Sequence, residues 1–316
     1  MGRRLSVRPA HDSVLLLAFG GPTRPGDVRP FLDNVLRGKP VPPQRYEEVV
    51  RHYEAVGGVS PLNRLTFAQA EALRDRLARD GPPLPVYVGM RHWEPSIAGT
   101  LATMAREGRR RAVALVLAAH RSAASWEAYL RAVEEGRREA GSAAPAVDYV
   151  APWSDHPLFI EAVAARTGEA VRRVPPGRRE QAAIVFTAHS IPLEMSRRSS
   201  YAESLERSAH LAGDRLGVRS WSVAYTSRSG SPADPWLEPA LDDALKALRG
   251  RGVRDVVVSP IGFVSDHVEV LYDLDIEARR TAQTLGLGFF RAGTAGDHPA
   301  FNDMMLALVR DAVARG

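Results

Sequence analysis

Eight short apolar runs alternate with amphipathic stretches along the chain, and this alternation limits the fold more than any other feature. The runs are "SVLLLAF" (13–19), "PVYVGM" (85–90), "AVALVLA" (112–118), "VDYVA" (147–151), "AAIVFTA" (182–188), "SWSVAYT" (220–226), "DVVVSPI" (255–261) and "LGFFRA" (287–292). Uninterrupted apolar runs of this length suit parallel strands buried on both faces. The segments between them carry helical periodicity, as at 66–80, 97–108, 125–140, 157–174, 237–249, 266–284 and 299–314. The predicted class is α/β, with parallel sheets flanked by helices. Two series of four strands imply two halves of similar topology, 1–146 and 147–316. The Gly-, Ser- and Pro-containing stretch "GSAAPAVDYVAPWSDHP" lies at their junction. A single continuous sheet is the alternative arrangement.

In open α/β sheets, ligands bind beyond the carboxyl ends of the strands. Polar groups recur at those positions: His92 after the second run, His120 after the third, His189 after the fifth, Ser227 after the sixth, and His267 with Glu269 after the seventh. The stretch "GFVSDHVEVLYDLDIEARR" (262–280) then places Glu269, Asp273 and Glu277 four residues apart. On an α-helix they share one face. Like charges at that spacing repel by roughly 0.2–0.5 kcal/mol per pair. Only Arg280 is placed to relieve them, and only at Glu277. A histidine facing such a row can bind a divalent cation with open positions, or move protons near pH 7. An acidic helix face that is merely solvated is the plain alternative.

Other chemistries lack their signatures. G-x-G-x-x-G, the phosphate-binding G-K-[ST] ending, G-x-S-x-G and H-E-x-x-H are all absent. The chain has no cysteine, which removes disulfides, thiolate metal sites and cysteine-ligated clusters. The net charge is +5, carried almost wholly by arginine, with lysine only at Lys39 and Lys246. The densest basic run, "REGRRRA" (106–112), lacks interleaved aromatics, so no nucleic-acid partner is expected. An anionic small molecule is the functional reading of the charge, and genome composition is the plain one. No run reaches the ~18 apolar residues of a membrane span, and the basic N-terminus has no apolar signal core. A cytoplasmic location is expected.

Six motifs in order resemble the ferrochelatases: "LLLAFGGP" (15–22), "HYEAVGGVSPLN" (52–63), "VGMRHWEP" (88–95), "TAHSIP" (187–192), "DPWLEP" (234–239) and "PIGFVSDHVEVLYDLDIEA" (260–278). They span nearly the whole chain. The resemblance implies two Rossmann-like halves around a porphyrin cleft, with the last helix packing back toward the N-terminal half. It implies insertion of Fe2+ into a porphyrin of haem biosynthesis, with loss of two pyrrole protons. His189 and Glu269 match the family's catalytic pair, and with Asp273 and Glu277 its metal-handling set. Phe19, Arg37, His52, Tyr53, Ser60 and Tyr129 match positions around the porphyrin or its propionates. Iron is then a substrate, and neither a resident cofactor nor an iron–sulfur cluster is expected.

The sequence departs from the family's patterns in places. Phe19 stands where some relatives carry an iron-ligating tyrosine, and phenylalanine cannot ligate. Ala119 replaces a common proline, Thr226 a common glutamine, and His52 an arginine of some relatives. Coproporphyrin III is the favoured substrate because its four propionates suit an arginine-rich pocket. Protoporphyrin IX, another metal or tetrapyrrole, and a non-catalytic porphyrin-binding role are the alternatives. A monomer is expected, and pathway logic implies a downstream enzyme that receives the product.

Overall fold

The computed structural model describes residues 10–38, 40–218, 220–229 and 234–315. Lys39, beside Arg37 in the basic "LRGK" segment, lies outside them. The chain runs β1 (Ser13–Ala18), α1 (Val28–Leu36), α2 (Pro43–Ala55), α3 (Leu62–Asp80), β2 (Val86–Met90), α4 (Ile97–Arg106), β3 (Arg111–Val116), α5 (Trp126–Ala140), β4 (Ala146–Tyr149) and α6 (Pro157–Arg173). It continues through β5 (Ala183–His189), α7 (Leu193–Ser199), α8 (Tyr201–Leu216), β6 (Trp221–Thr226), α9 (Leu241–Gly250) and β7 (Asp255–Ser259). A π-helix (Val270–Ala278), α10 (Arg279–Thr284), β8 (Gly288–Arg291) and α11 (Pro299–Arg315) follow.

All eight expected strands form. They make two separate four-stranded parallel sheets, ordered β2-β1-β3-β4 and β6-β5-β7-β8, so the single-sheet alternative is excluded. The central strands explain the apolar runs. Every residue of β1, β3 and β7 is buried, which favours hydrocarbon, and the two charged members, Arg111 and Asp255, are held by Asp148 and Arg178. Each fully buried Val or Leu contributes about 1.5–3 kcal/mol.

The expected division after residue 146 is corrected by β4. This strand pairs with β3 through Arg111–Ala146 to Ala114–Tyr149 and completes the first sheet. The Gly/Ser/Pro stretch that suggested a junction, 141–157, holds the turn from α5 into β4, where Gly141 takes a positive φ of 79°, then β4 itself and the connection into α6. The division between sheets falls after Tyr149.

The halves share one apolar core. Trp153 sits fully buried between Phe159 of α6 and Phe301 of α11, with ring centroids 5.2 and 5.7 Å away. α11 packs on α6 and also on α3 and β3 of the first half. Arg76 of α3 bonds Asp303 of α11 at 2.6 Å. A smaller cluster joins Phe31, Leu32, Val50 and Tyr53 of α1 and α2 to Val268, just ahead of the π-helix. No helix among the described residues is long and apolar enough to cross a membrane.

Candidate functional site

Each sheet has its topological switch at its first strand, which is flanked by the second and third strands of its own half. That is where a doubly wound sheet opens a crevice. His189 is the last residue of β5. Its Nδ1 meets the carbonyl oxygen of Ser190. A carbonyl can only accept, so Nδ1 carries the proton and Nε2 presents a lone pair in the neutral ring. The Tyr201 hydroxyl donates to the His189 carbonyl at 3.1 Å, steadying the backbone that carries the ring.

Glu269 arrives from the loop after β7. Gly262 lets that loop lie directly on β5. Its N–H donates to Thr187 O at 3.0 Å, and a Cβ on it would stand 2.3 Å from Ala188 Cβ. The loop brings Glu269 Oε1 to 3.6 Å from His189 Nε2, and Glu269 Oε2 to 3.4 Å from His267 Nε2. The carboxylate therefore sits between two imidazoles. Burial alone would raise the Glu269 pKa, but His189 and then His267 hold it far below the usual carboxylate range. Burial alone would lower His189, but Glu269, the Ser190 carbonyl and Asp273 outweigh it and raise the imidazole above its ordinary value. The side chains remain 29 % and 38 % exposed, so a ligand can reach both.

The acidic row does not lie on an α-helix. Residues 270–278 form a π-helix, with hydrogen bonds spanning five residues instead of four. The four-residue spacing of Glu269, Asp273 and Glu277 is set on this wider turn. Asp273 accepts the Ser227 hydroxyl, and Ser227 holds a left-handed backbone with φ of 61° to offer it. Burial first, then the Glu269 charge, push Asp273 up to about 7, and the Ser227 bond offsets part of this. Glu277 is exposed at the far end. Burial and the neighbouring charge of Asp242, in the first turn of α9, raise it. Among the described residues no three His, Asp or Glu side chains close into a metal cage. The arrangement is an open line of imidazole and carboxylate groups.

The residues matched to the porphyrin are placed unevenly. Phe19 follows β1 and packs on His92 at 4.5 Å and on Phe31 at 6.2 Å. Tyr53 is buried against Phe31, and burial plus the Glu269 charge raise its pKa, which puts it beside the pair. His52 stacks on Tyr272 of the π-helix, centroids 3.7 Å apart and planes at 13°. Burial lowers its pKa and favours a neutral ring. Ser60 is buried against Gly21, whose Cβ would lie 2.7 Å from Ser60 Cβ. Tyr129 is buried in the first core with the Arg91 guanidinium 5.9 Å from its ring centroid, so it turns no open face to a cleft. Arg37 is exposed at the end of α1 and bonds Asn34. A groove of about 390 Å³ lies between the halves, lined by Ala123 and Glu127 on one side and by Glu194, Met195, Arg198 and Ser199 on the other.

His267 and Ser227 had only the signal of being polar groups that follow strands. The structure joins them to Glu269 and Asp273. Tyr201 and Asp242 carried no signal, because their partners lie in other elements.

Residues 11–313 match the family model described as Ferrochelatase. The chain belongs to the ferrochelatase family. It is an enzyme that inserts iron into a porphyrin. The chain is 42 % identical to a coproporphyrin III ferrochelatase of Nocardia farcinica, covering 96 % of this chain and 88 % of that one. A ferrochelatase of Rhodopirellula baltica is 40 % identical, over 98 % and 89 % of the two chains. Among solved structures, the sirohydrochlorin chelatase SirB of Bacillus subtilis in complex with cobalt covers 96 % of each chain with a TM-score of 0.58. At 14 % identity that likeness concerns the fold.

Proposed function

We propose that this ferrochelatase inserts Fe2+ into coproporphyrin III, with His189 and Glu269 acting on one face of the macrocycle. The observation that carries this reading is the open His189–Glu269 pair, 3.6 Å apart at the switch point of the second sheet. Insertion forms four iron–nitrogen bonds and releases two pyrrole protons. His189 Nε2 accepts one proton when neutral, Glu269 holds the resulting imidazolium in place, and the second proton passes to the Asp273 carboxylate and solvent. Asp273 and Glu277 lead the dication toward the pair. An incomplete set of hard ligands suits an ion that must be surrendered, because a closed cage would retain it. Phe19 offers iron no ligand from the opposite side.

The substrate assignment is supported by the relatives named coproporphyrin III ferrochelatase in Nocardia farcinica and Mycolicibacterium smegmatis. Iron is a passing substrate and no resident cofactor takes part. The enzyme works as a cytoplasmic monomer and passes its product to a later enzyme of haem synthesis. Anaerobic Fe2+ insertion, followed by absorbance with coproporphyrin III and protoporphyrin IX in parallel, tests the reading. Faster turnover of the tetrapropionate is expected. A preference for protoporphyrin IX would overturn the substrate assignment and leave the pair intact. His189→Ala should retain porphyrin binding and lose insertion; unimpaired insertion would remove His189 from the chemistry.

A further inference from the structure

Gln69 lies on α3 of the first half and is 2 % exposed. Its Nε2 stands 3.1 Å from Ser265 Oγ and 2.9 Å from Gly296 O. An amide nitrogen has two hydrogens, and one goes to each acceptor. The amide orientation follows, since the Gly296 carbonyl can face only a donor. Gln69 Oε1 is left buried with no partner among the described residues. The side chain thus keeps an unmet acceptor in order to place both donors.

Three segments meet at this point. Gly296 N–H donates to Val264 O at 2.7 Å, and a Cβ on Gly296 would lie 2.3 Å from Val264 O and 2.4 Å from Gln69 Nε2. Ser265 precedes His267 by two residues and Glu269 by four. On the same helix Asn63 donates to Gly21 O at 2.9 Å, in the loop that follows β1. α3 therefore spans from the β1 loop of one half to the glutamate-bearing loop of the other.

We propose that Gln69 is a positioning residue for iron insertion. It holds the 262–269 loop against the first half, so that the Glu269 carboxylate keeps its distance from His189. This rests on the reading of His189 and Glu269 as the working pair. Arg76, one heptad along the same helix, provides the comparison. It ties the halves through Asp303 without touching the loop.

The test is kcat, porphyrin Kd by fluorescence quenching, and Tm for the full chain, for wild type, Gln69→Met, Gln69→Glu, Ser265→Ala and Arg76→Met. Gln69→Met and Gln69→Glu keep the volume and lose the donors. Both should lower kcat by about 10- to 100-fold, the cost of a misplacement near 1 Å, with porphyrin Kd unchanged. Arg76→Met should lower Tm and leave kcat near wild type. If Gln69→Met does not accumulate, Ser265→Ala carries the test. It removes one of the two bonds and should lower kcat by about 3- to 10-fold at unchanged Kd. Loss of kcat no greater than in Arg76→Met, or a loss confined to porphyrin Kd, would overturn the proposal. A wild-type protein inactive with either porphyrin would instead overturn the His189–Glu269 reading, and this proposal with it.

Discussion

Replacing His120 by glutamine should flatten the acid side of the stability curve. His120 is 3 % exposed, with its Nε2 3.1 Å from Ser208 Oγ. Its Nδ1 has no partner among the described residues. The rings of Phe159 and Tyr201 stand edge-on at 6.4 and 6.1 Å. Nothing there solvates a second proton, and burial lowers the pKa from 6.5 to about 4. Between those two values the unfolded chain binds a proton that the folded chain refuses. Stability is therefore complete above pH 6.5 and is lost as pH falls toward 4. The full loss is about 3 kcal/mol, of which about 2 kcal/mol has gone by pH 5. Glutamine can still donate to Ser208 and does not titrate. Urea unfolding at pH 7.5 and pH 5 measures the effect. Wild type should lose about 2 kcal/mol more than His120→Gln across that interval. Parallel losses would show that His120 is solvated or already charged, and would refute the argument.

Three other outcomes follow from the site. The Glu269 charge raises the His189 pKa, and an imidazolium can neither ligate iron nor take a pyrrole proton. Insertion rates should fall with acid through a midpoint above 6.5, and the residual activity of Glu269→Gln should show that midpoint at lower pH in a kcat/KM profile. Gly262→Ala should lower kcat by about 10²-fold in steady-state assays, because its methyl group would stand 2.3 Å from Ala188 Cβ and must push the glutamate loop off β5. Arg291 bonds Asp275 through two nitrogens at 3.0 and 2.9 Å and reaches Asp266 at 3.1 Å. Arg291→Met takes this partner from Asp266 and leaves Asp275 with Arg279 at 3.4 Å, and should cost about 2 kcal/mol in chemical denaturation.

The central strands β1, β3 and β7 were legible because their burial on two faces writes itself as an unbroken apolar run. Helices that bury little hydrocarbon were not. α2 buries only Val50 and Tyr53 among charged neighbours, and beyond Tyr201 and Leu205 α8 turns only small residues, Ser208, Ala209, Ala212 and Gly213, inward, so its apolar stripe is thin. The division at residue 146 failed although 147–151 reads as a strand, because the Gly- and Pro-containing stretch 141–157 runs over both sides of this short, half-exposed edge strand. His189 and Glu269 could be named from motifs, but their separation depends on Gly262 meeting Ala188 across two strands. The π-helix has no local signature at all. The same nine residues suit an α-helix, and from the wider turn Val270, Leu274 and Ala278 pack into the second core.

The repeated strand order has a further consequence. The loop after β1 carries Phe19 and Gly21, which is packed on Ser60, whereas His189 ends β5 and Glu269 follows β7. On the proposed reading, one repeat shapes the wall that meets the organic ring, and the other supplies the reactive groups. The two sets stand on separate sheets but are bonded to one helix: Asn63 of α3 holds Gly21 O and Gln69 holds Ser265 and Gly296. A change in the first loop that keeps the Asn63 bond can reshape the wall alone, whereas one that breaks it is passed along α3 to the glutamate loop.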